Sequence, residues 1–300
     1  MPPVTKQPVF PPADPVFKMP FFYSSLSLIW TYYWVDEKLV LPLMKDTRLK
    51  PARFTDPESK GKVLISLNFQ NYSAFLGMMI STVNEIEFNV HCYPEKHEAE
   101  VPVMSLQDYL YGQDATKLIG EMRLHVPADN AVAVQAGVKC FGERKFLTTF
   151  DYMVPTPDAP TVETWAYTVY DPTFEGDKSK ALYTLTADLS VIPRRVANPS
   201  PLTLYSMLPG GPNRPAGGKD MDLIGSRWNM LGVYDMYLGL TPAQQKSFTL
   251  TIGKTQHPMA VDLRATLGKG AKVCAVRVFV SPPAAAENRP YYVDLGKKKK

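Results

Sequence analysis

The stretch with most to say about chemistry is Asp129-Asn130-Ala131-Val132-Ala133-Val134-Gln135-Ala136-Gly137-Val138-Lys139-Cys140-Phe141-Gly142-Glu143-Arg144-Lys145-Phe146. Its apolar part reads as a strand running to Gly137, with a turn around Gly142, and Lys145 stands just before a second apolar strand, Phe146 to Phe150. An amine placed there points into or near an apolar interior, where burial disfavours the ammonium form and lowers its pKa. A neighbouring cation, Arg144 or Lys139, pushes the same way. A neutral amine adds to a ketone, water leaves, and the protonated imine becomes an electron sink. A β-keto acid then loses carbon dioxide to give an enamine. A pyruvate-like imine loses a proton instead, and its enamine attacks an aldehyde. A carboxylate within reach of the amine serves as general acid/base for these steps. The bland alternative is that Lys145 is solvated, as most lysines are. Glu85 shares one face of an alternating strand with Glu87 and Asn89, which also fits a side turned to water.

The elements that must hold these groups are mostly strands. Ser25 to Trp34 is dense in aromatics with partial alternation and reads as a strand, after which Asp36 caps a short helix through Leu39, Leu41 and Leu43 that Pro42 keeps brief. Val63 to Phe69, Glu85 to His91, Met122 to Val126 and Ala131 to Gln135 follow as strands, the last two split by the turn signal Pro127-Ala128-Asp129-Asn130. Phe146 to Phe150, Thr161 to Tyr170, Ala181 to Val191, Phe248 to Ile252, Met259 to Leu263 and Lys272 to Val280 complete the series. Short helices are expected at Ser105 to Tyr111, Ala115 to Gly120 and Met230 to Leu238. Many strands with frequent Pro and Gly punctuation predict a mainly β fold: a closed or nearly closed antiparallel β-barrel with a few peripheral helices. The layout is a Pro-rich arm over 1–20, one domain over 21–296 and a basic tail over 297–300. Residues 209–218, rich in Gly and Pro, form a long loop of the kind that serves as a lid or binding edge.

Composition narrows the function classes. Net charge is +4, but four of the positive charges are Lys297 to Lys300, so no basic field remains to suggest nucleic acid as a partner. Cys92, Cys140 and Cys274 are odd in number and scattered, which fits a reducing compartment. The N-terminus lacks the pattern of a secretory signal, and Phe21 to Trp34 is too short for a membrane span, so a soluble, cytoplasmic protein is expected. His91 and Cys92 with Glu95, His97 and Glu98 superficially suggest a metal site, yet Pro94 and the local charge point to a solvated loop. No metal or other cofactor is expected. Gly210-Gly211 and Gly217-Gly218 follow no strand and open no helix, which argues against a phosphate cradle, and no Gly-x-Ser-x-Gly motif is present. Trp30, Tyr32, Trp34, Trp165, Tyr167 and Trp228 read as packing.

These stretches resemble the acetoacetate decarboxylase-like superfamily. The interval from Gly137 to Lys145 matches the family's interval from glycine to Schiff-base lysine, and Tyr33-Trp34-Val35-Asp36-Glu37 looks like its strand-to-helix entry. Phe69-Gln70 and Val83-Asn84-Glu85 resemble the elements that place two carboxylates over that lysine, which implies Glu85 as general acid/base and puts Gln70, able only to hydrogen-bond, with Arg144 on the substrate-binding side. The departures are local. Val138-Lys139 stands for the family's Arg-Glu, Glu143-Arg144 for an aromatic-Pro pair, Phe146 for a second lysine and Gln70 for one glutamate. The resemblance implies a homo-oligomeric lyase that takes a small keto acid through an imine on Lys145, by decarboxylation or by aldol condensation and dehydration with a pyruvate-like substrate. The rival reading is a non-catalytic barrel that binds a small carbonyl or apolar molecule.

Overall fold

The computed structural model describes residues 10–11, 14–155, 163–174, 176–197, 201–209, 221–268 and 270–281. Most of the Pro-rich arm, the 209–218 loop beyond Pro209, positions 161–162 and the basic tail lie outside the described residues.

In chain order the strands are β1 (Phe22–Asp36), β2 (Leu49–Pro51), β3 (Lys62–Phe75), β4 (Ile80–Pro94), β5 (Gly120–Ala128), β6 (Lys145–Leu147), β7 (Phe150–Met153) and β8 (Thr164–Tyr170). They continue as β9 (Ala181–Asp188), β10 (Arg195–Ala197), β11 (Leu202–Pro209), β12 (Met221–Trp228), β13 (Tyr234–Leu238), β14 (Phe248–Ile252) and β15 (Val273–Val280). The α-helices are α1 (Glu37–Val40), α2 (Leu106–Leu110), α3 (Ala131–Phe141) and α4 (Pro258–Thr266).

A large sheet runs in the order β10-β13-β15-β1-β3-β4-β5-β11-β12, with β2 added to β4 and β6 to β5. A second sheet, β14-β9-β8-β7, is antiparallel throughout. The expected closed antiparallel barrel is therefore corrected in two respects. The path ends at β10 and β12, which do not pair with each other, and the large sheet is mixed, because β6 and β11 both run parallel to β5.

One misread element explains half of that correction. Residues 131–134 alternate Ala and Val, and 131–135 were expected to be extended, but they open α3. The Asn130 side chain accepts hydrogen bonds from the amides of Val132 and Ala133 at 3.0 and 3.1 Å, the work of a helix N-cap. Ala133, Ala136 and Gly137 recur at helical spacing and form the buried face. With a helix between them, β5 and β6 become a β-α-β crossover, and parallel pairing follows. Met259 to Leu263, also expected as a strand, lies in α4, with Pro258 in its first turn and His257 capping it. Met230 to Leu238, expected as a helix, contains β13 instead. Residues 115–120 form no helix, and the Asp114 carboxylate gathers the amides of Thr116, Lys117 and Ile119 in a turn. The Asp36 cap on α1 is as expected, with its carboxylate accepting from the Lys38 amide at 2.9 Å.

The large sheet is buried on both faces. Ile65, Leu67 and Phe69 of β3 and Ile86, Phe88 and Val90 of β4 pack against the small sheet and α4, where Phe69 stacks on Tyr167 at 4.7 Å. The opposite face carries Leu28, Trp30, Tyr32, Leu64 and Tyr72 against α2, α3 and β13. Its centre is polar, because Ser66, Asn68 and Gln70 alternate along β3 while Glu85, Glu87, Asn89 and His91 alternate along β4. No helix among the described residues is long and apolar enough to cross a membrane.

Gly142 ends α3 and turns the chain into β6. Its φ is +61°, and a Cβ there would overlap the Met207 carbonyl oxygen. Gly61 has a similar φ of +71° but open space around it. Gly61→Ala is expected to cost about 1 kcal/mol for the left-handed backbone alone, and Gly142→Ala more than about 2 kcal/mol, read by chemical denaturation.

Candidate active site

Lys145 opens β6 beside Val126 of β5, and its amine reaches back across the end of the sheet toward β4. The path exists because residue 137 of α3 has no side chain. A Cβ on Gly137 would overlap both Glu143 Oε2 and Lys145 Cδ. Two residues apart, Glu143 and Lys145 share this inner side, whereas Arg144 between them is exposed.

The Lys145 side chain is 6% exposed, and its Nζ donates to Glu85 Oε2 at 2.7 Å and lies 3.3 Å from Glu143 Oε2. Tyr72 OH donates to the same Glu85 oxygen at 2.8 Å. Arg123, on β5, bridges Glu87 and Glu143 with close ion pairs to each. Asn68 Nδ2 donates to Glu87 Oε2 at 3.1 Å, and Asn89 Nδ2 donates to Glu87 Oε2 at 3.3 Å and Glu121 Oε2 at 3.0 Å. Gln70 faces Glu85 directly across the β3–β4 ladder. It is buried, and its Nε2 has no hydrogen-bond partner among the described residues.

Glu85, Glu143, Lys145, Arg123, Tyr72 and Gln70 line one cavity of about 810 Å³. Lys145, Glu85 and Gln70 are thus brought together. The fourth candidate, Arg144, is corrected: strand alternation turns it away, it is absent from the cavity lining, and the neighbouring cation is Arg123. Lys139 is also remote, about half exposed and 3.6 Å from Asp14. Glu85, Glu87 and Asn89 do share one face, but that face is buried rather than turned to water.

The electrostatics differ from those of an amine in an apolar pocket. Burial by itself lowers the Lys145 pKa, but the charges of Glu143 and Glu85 outweigh it and hold the ammonium above its ordinary value. Glu143, although its burial favours the neutral acid, is held below the usual carboxylate range by Arg123 and Lys145. Burial pushes Glu87 up, partly offset by Arg123 and reinforced by Glu85 and Glu143. Burial and the Glu85 charge keep Tyr72 a neutral phenol, able to donate. Three carboxylates thus surround two cations, and Lys145 rests as a clamped ammonium whose proton already points at an acceptor.

Sequence reasoning missed Glu143 as a site residue, along with Arg123, Tyr72 and Glu87. A period-2 signal was available for each. Arg123 interrupts the apolar run Met122 to Val126, Glu87 stands two residues from Glu85, and Tyr72 two from Gln70. The metal candidates do not converge. His91 is buried between Tyr109 and Ser66, while His97 is exposed and bonded to Glu100 at 2.7 Å. Among the described residues no group of three or more His, Cys, Asp or Glu side chains could hold a metal ion.

No protein-family model matches the sequence, and no curated protein matches it. Solved structures do match. An acetoacetate decarboxylase-like enzyme from Sphingomonas wittichii RW1 superposes with a TM-score of 0.53 over 86% of this chain and 88% of that one, at 12% identity. The chain has the acetoacetate decarboxylase-like fold. The enduracididine biosynthesis enzyme MppR, with HEPES buffer bound, shares it at a TM-score of 0.52 over 93% of this chain and 92% of its own, at 13% identity. MppR complexed with the condensation product of pyruvate and imidazole 4-carboxaldehyde gives 0.50 over 93% and 94%, also at 13% identity. Within this fold, the lysine of the present chain sits in a more acidic surrounding than its sequence neighbours suggested.

The raised Lys145 pKa fixes the sign of its pH response. The clamp's contribution to stability is complete at neutral pH and fades as pH climbs through the raised value. Reductive capture of a carbonyl, which needs the free amine, is expected to speed up toward alkaline pH. Glu143→Gln removes a partner that raises the pKa while leaving burial in place, so the rise should move to lower pH. A profile that stays put would show that Glu143 does not hold the proton. Gly137→Ala should slow the same capture by about tenfold or more, since the added methyl overlaps the Lys145 stem and the Glu143 carboxylate paired with its amine.

Proposed function

We propose that this protein is a lyase that captures a keto acid as an imine on Lys145. The observation that carries the reading is a buried amine facing an 810 Å³ cavity, 2.7 Å from one carboxylate and 3.3 Å from a second. Proteins of the same fold include an acetoacetate decarboxylase-like enzyme and one captured with a pyruvate condensation product, which agrees with carbonyl chemistry.

The reaction begins with transfer of the ammonium proton to Glu85 along their hydrogen bond, leaving a lone pair on Nζ. The amine adds to the carbonyl carbon. Glu85 returns its proton to the alkoxide oxygen of the adduct, then takes one from the adduct nitrogen and passes it to the resulting hydroxyl, which departs as water and leaves a protonated imine. Tyr72, bonded to the same oxygen, keeps the Glu85 carboxylate aimed at the amine. The unpaired Gln70 amide supplies a donor for the substrate oxygen. From the imine, a β-keto acid loses carbon dioxide as the electrons of the breaking C–C bond enter the C=N system, giving an enamine that is protonated and hydrolysed. A pyruvate-like imine instead gives up an α-proton, and its enamine adds to an aldehyde before water is eliminated. Arg123 positions Glu143 and Glu87 rather than binding substrate, since both carboxylates already engage it.

One observation favours the non-catalytic rival: the resting amine is protonated and doubly paired. Cyanoborohydride trapping with acetoacetate or pyruvate separates the readings. A mass gain mapped to Lys145, absent from Lys145→Ala and Lys145→Gln, is expected. Glu85→Gln should lower the trapping rate by about 10²-fold or more. Failure of every keto acid to leave an adduct would favour the binding protein.

A further inference from the structure

We infer that the molecule bound here carries a bulky apolar body, of phenyl or branched-alkyl size, extending outward from the carbonyl that Lys145 attacks. The inference rests on the imine reading and names the substrate class of the same site.

Size is the first argument. A four-carbon keto acid displaces on the order of 100 Å³, the share of three or four waters at roughly 30 Å³ each. The cavity measures about 810 Å³, within the range of about 300–1,000 Å³ typical for ligands of many more atoms.

The second argument is where the polarity lies. Six charged side chains line the cavity: Glu85, Glu87, Glu143, Arg123, Lys145 and Arg227. The first five form the ion-paired cluster at the amine. Arg227 is exposed, and its Nη1 is engaged by the Lys117 carbonyl at 2.9 Å and by the Thr203 hydroxyl. The rest of the lining is uncharged and largely apolar, including Phe21, Leu26, Leu76, Phe141, Met230 and Phe279.

The third argument is continuity. From the Glu85 oxygen the wall passes to Tyr72, whose ring lies 5.0 Å from Tyr23, then 5.9 Å on to Trp228, which packs 6.1 Å from Trp30. On the α3 side the wall is low, since Ala133, Ala136 and Gly137 line it with almost no side chain. Aromatic rings opposite small residues leave a slot that an aryl or branched chain fills and that acetoacetate leaves to water.

The test uses the full chain and compares acetoacetate with 3-oxo-5-phenylpentanoate in cyanoborohydride trapping, alongside 4-phenyl-2-butanol, which cannot form an imine, followed by tryptophan fluorescence. The phenyl keto acid is expected to half-saturate trapping at a concentration at least about tenfold lower than acetoacetate, the low end for burying a phenyl-sized group. Ser226→Phe, which intrudes on the chamber from β12, should raise that concentration about tenfold or more, with circular dichroism checking the fold. Equal or tighter saturation by acetoacetate overturns the inference, as does a phenyl response untouched by Ser226→Phe. No adduct with either acid, but saturable 4-phenyl-2-butanol binding weakened by Ser226→Phe, sinks the imine while the ligand class stands. No adduct and no saturable binding defeats both.

Discussion

A charge cannot be taken out of water alone, and the centre of this molecule is organised around that constraint. Transfer of an isolated ion into a protein interior costs several kcal/mol even after relaxation, so a buried ammonium or guanidinium needs carboxylates, and those need donors of their own. Lys145 is answered by Glu85 and Glu143, Arg123 by Glu143 and Glu87, and Glu87 by Asn68 and Asn89. No member of this chain can be removed without exposing its neighbour's charge. The group at the amine is therefore one electrostatic unit rather than a set of independent residues.

The unit extends further than the cavity. Asn89 joins Glu87 to Glu121, which lies 3.8 Å from Arg277, and the Arg277 guanidinium sits 4.0 Å over Trp30 and 4.8 Å from Tyr234. Burial raises Glu121 to about 7, even with Arg277 beside it, and drives His91 down to about 3. The seam runs along one face of β3, β4 and β5 with apolar residues on the reverse. Long, well-registered strands suit it, because each step of two residues delivers the next polar group to the same side. The helix α3 then closes the outer end, and its glycines at 137 and 142 set how near the lysine and its acids come to the sheet.

The sequence made some of this legible. Ser25 to Trp34 as an aromatic strand and Asp36 as a helix cap could be read from residue type, while the grouping of Lys145 with Glu85 and Gln70 came from the resemblance to the acetoacetate decarboxylase-like superfamily. The failures have physical causes. The alternation of alanine and valine over 131–134 imitates a strand, and only the capping asparagine and the i, i+3, i+4 spacing of small residues reveal the helix. Without that helix the parallel pairing of β5 and β6 could not be foreseen, and an antiparallel barrel was the natural expectation. Glu85, Glu87 and Asn89 look like a wet face because alternation reports sides and not burial. Arg144 looked like the partner cation because it is adjacent in sequence, whereas Arg123 arrives from a strand some twenty residues earlier. The direction of the lysine's pKa was missed because Glu85 comes from a distant strand and Glu143, only two residues away, was not read as sharing the lysine's side.

The doubly held ammonium has a consequence for life among reactive small molecules. A free amine in an open apolar pocket collects carbon dioxide as carbamate, condenses with stray aldehydes and is slowly acylated. Protonated nitrogen has no electron pair to offer any of them. By keeping Lys145 in that silent form, its proton held on a short hydrogen bond to Glu85, the cluster leaves the amine inert toward whatever merely drifts past.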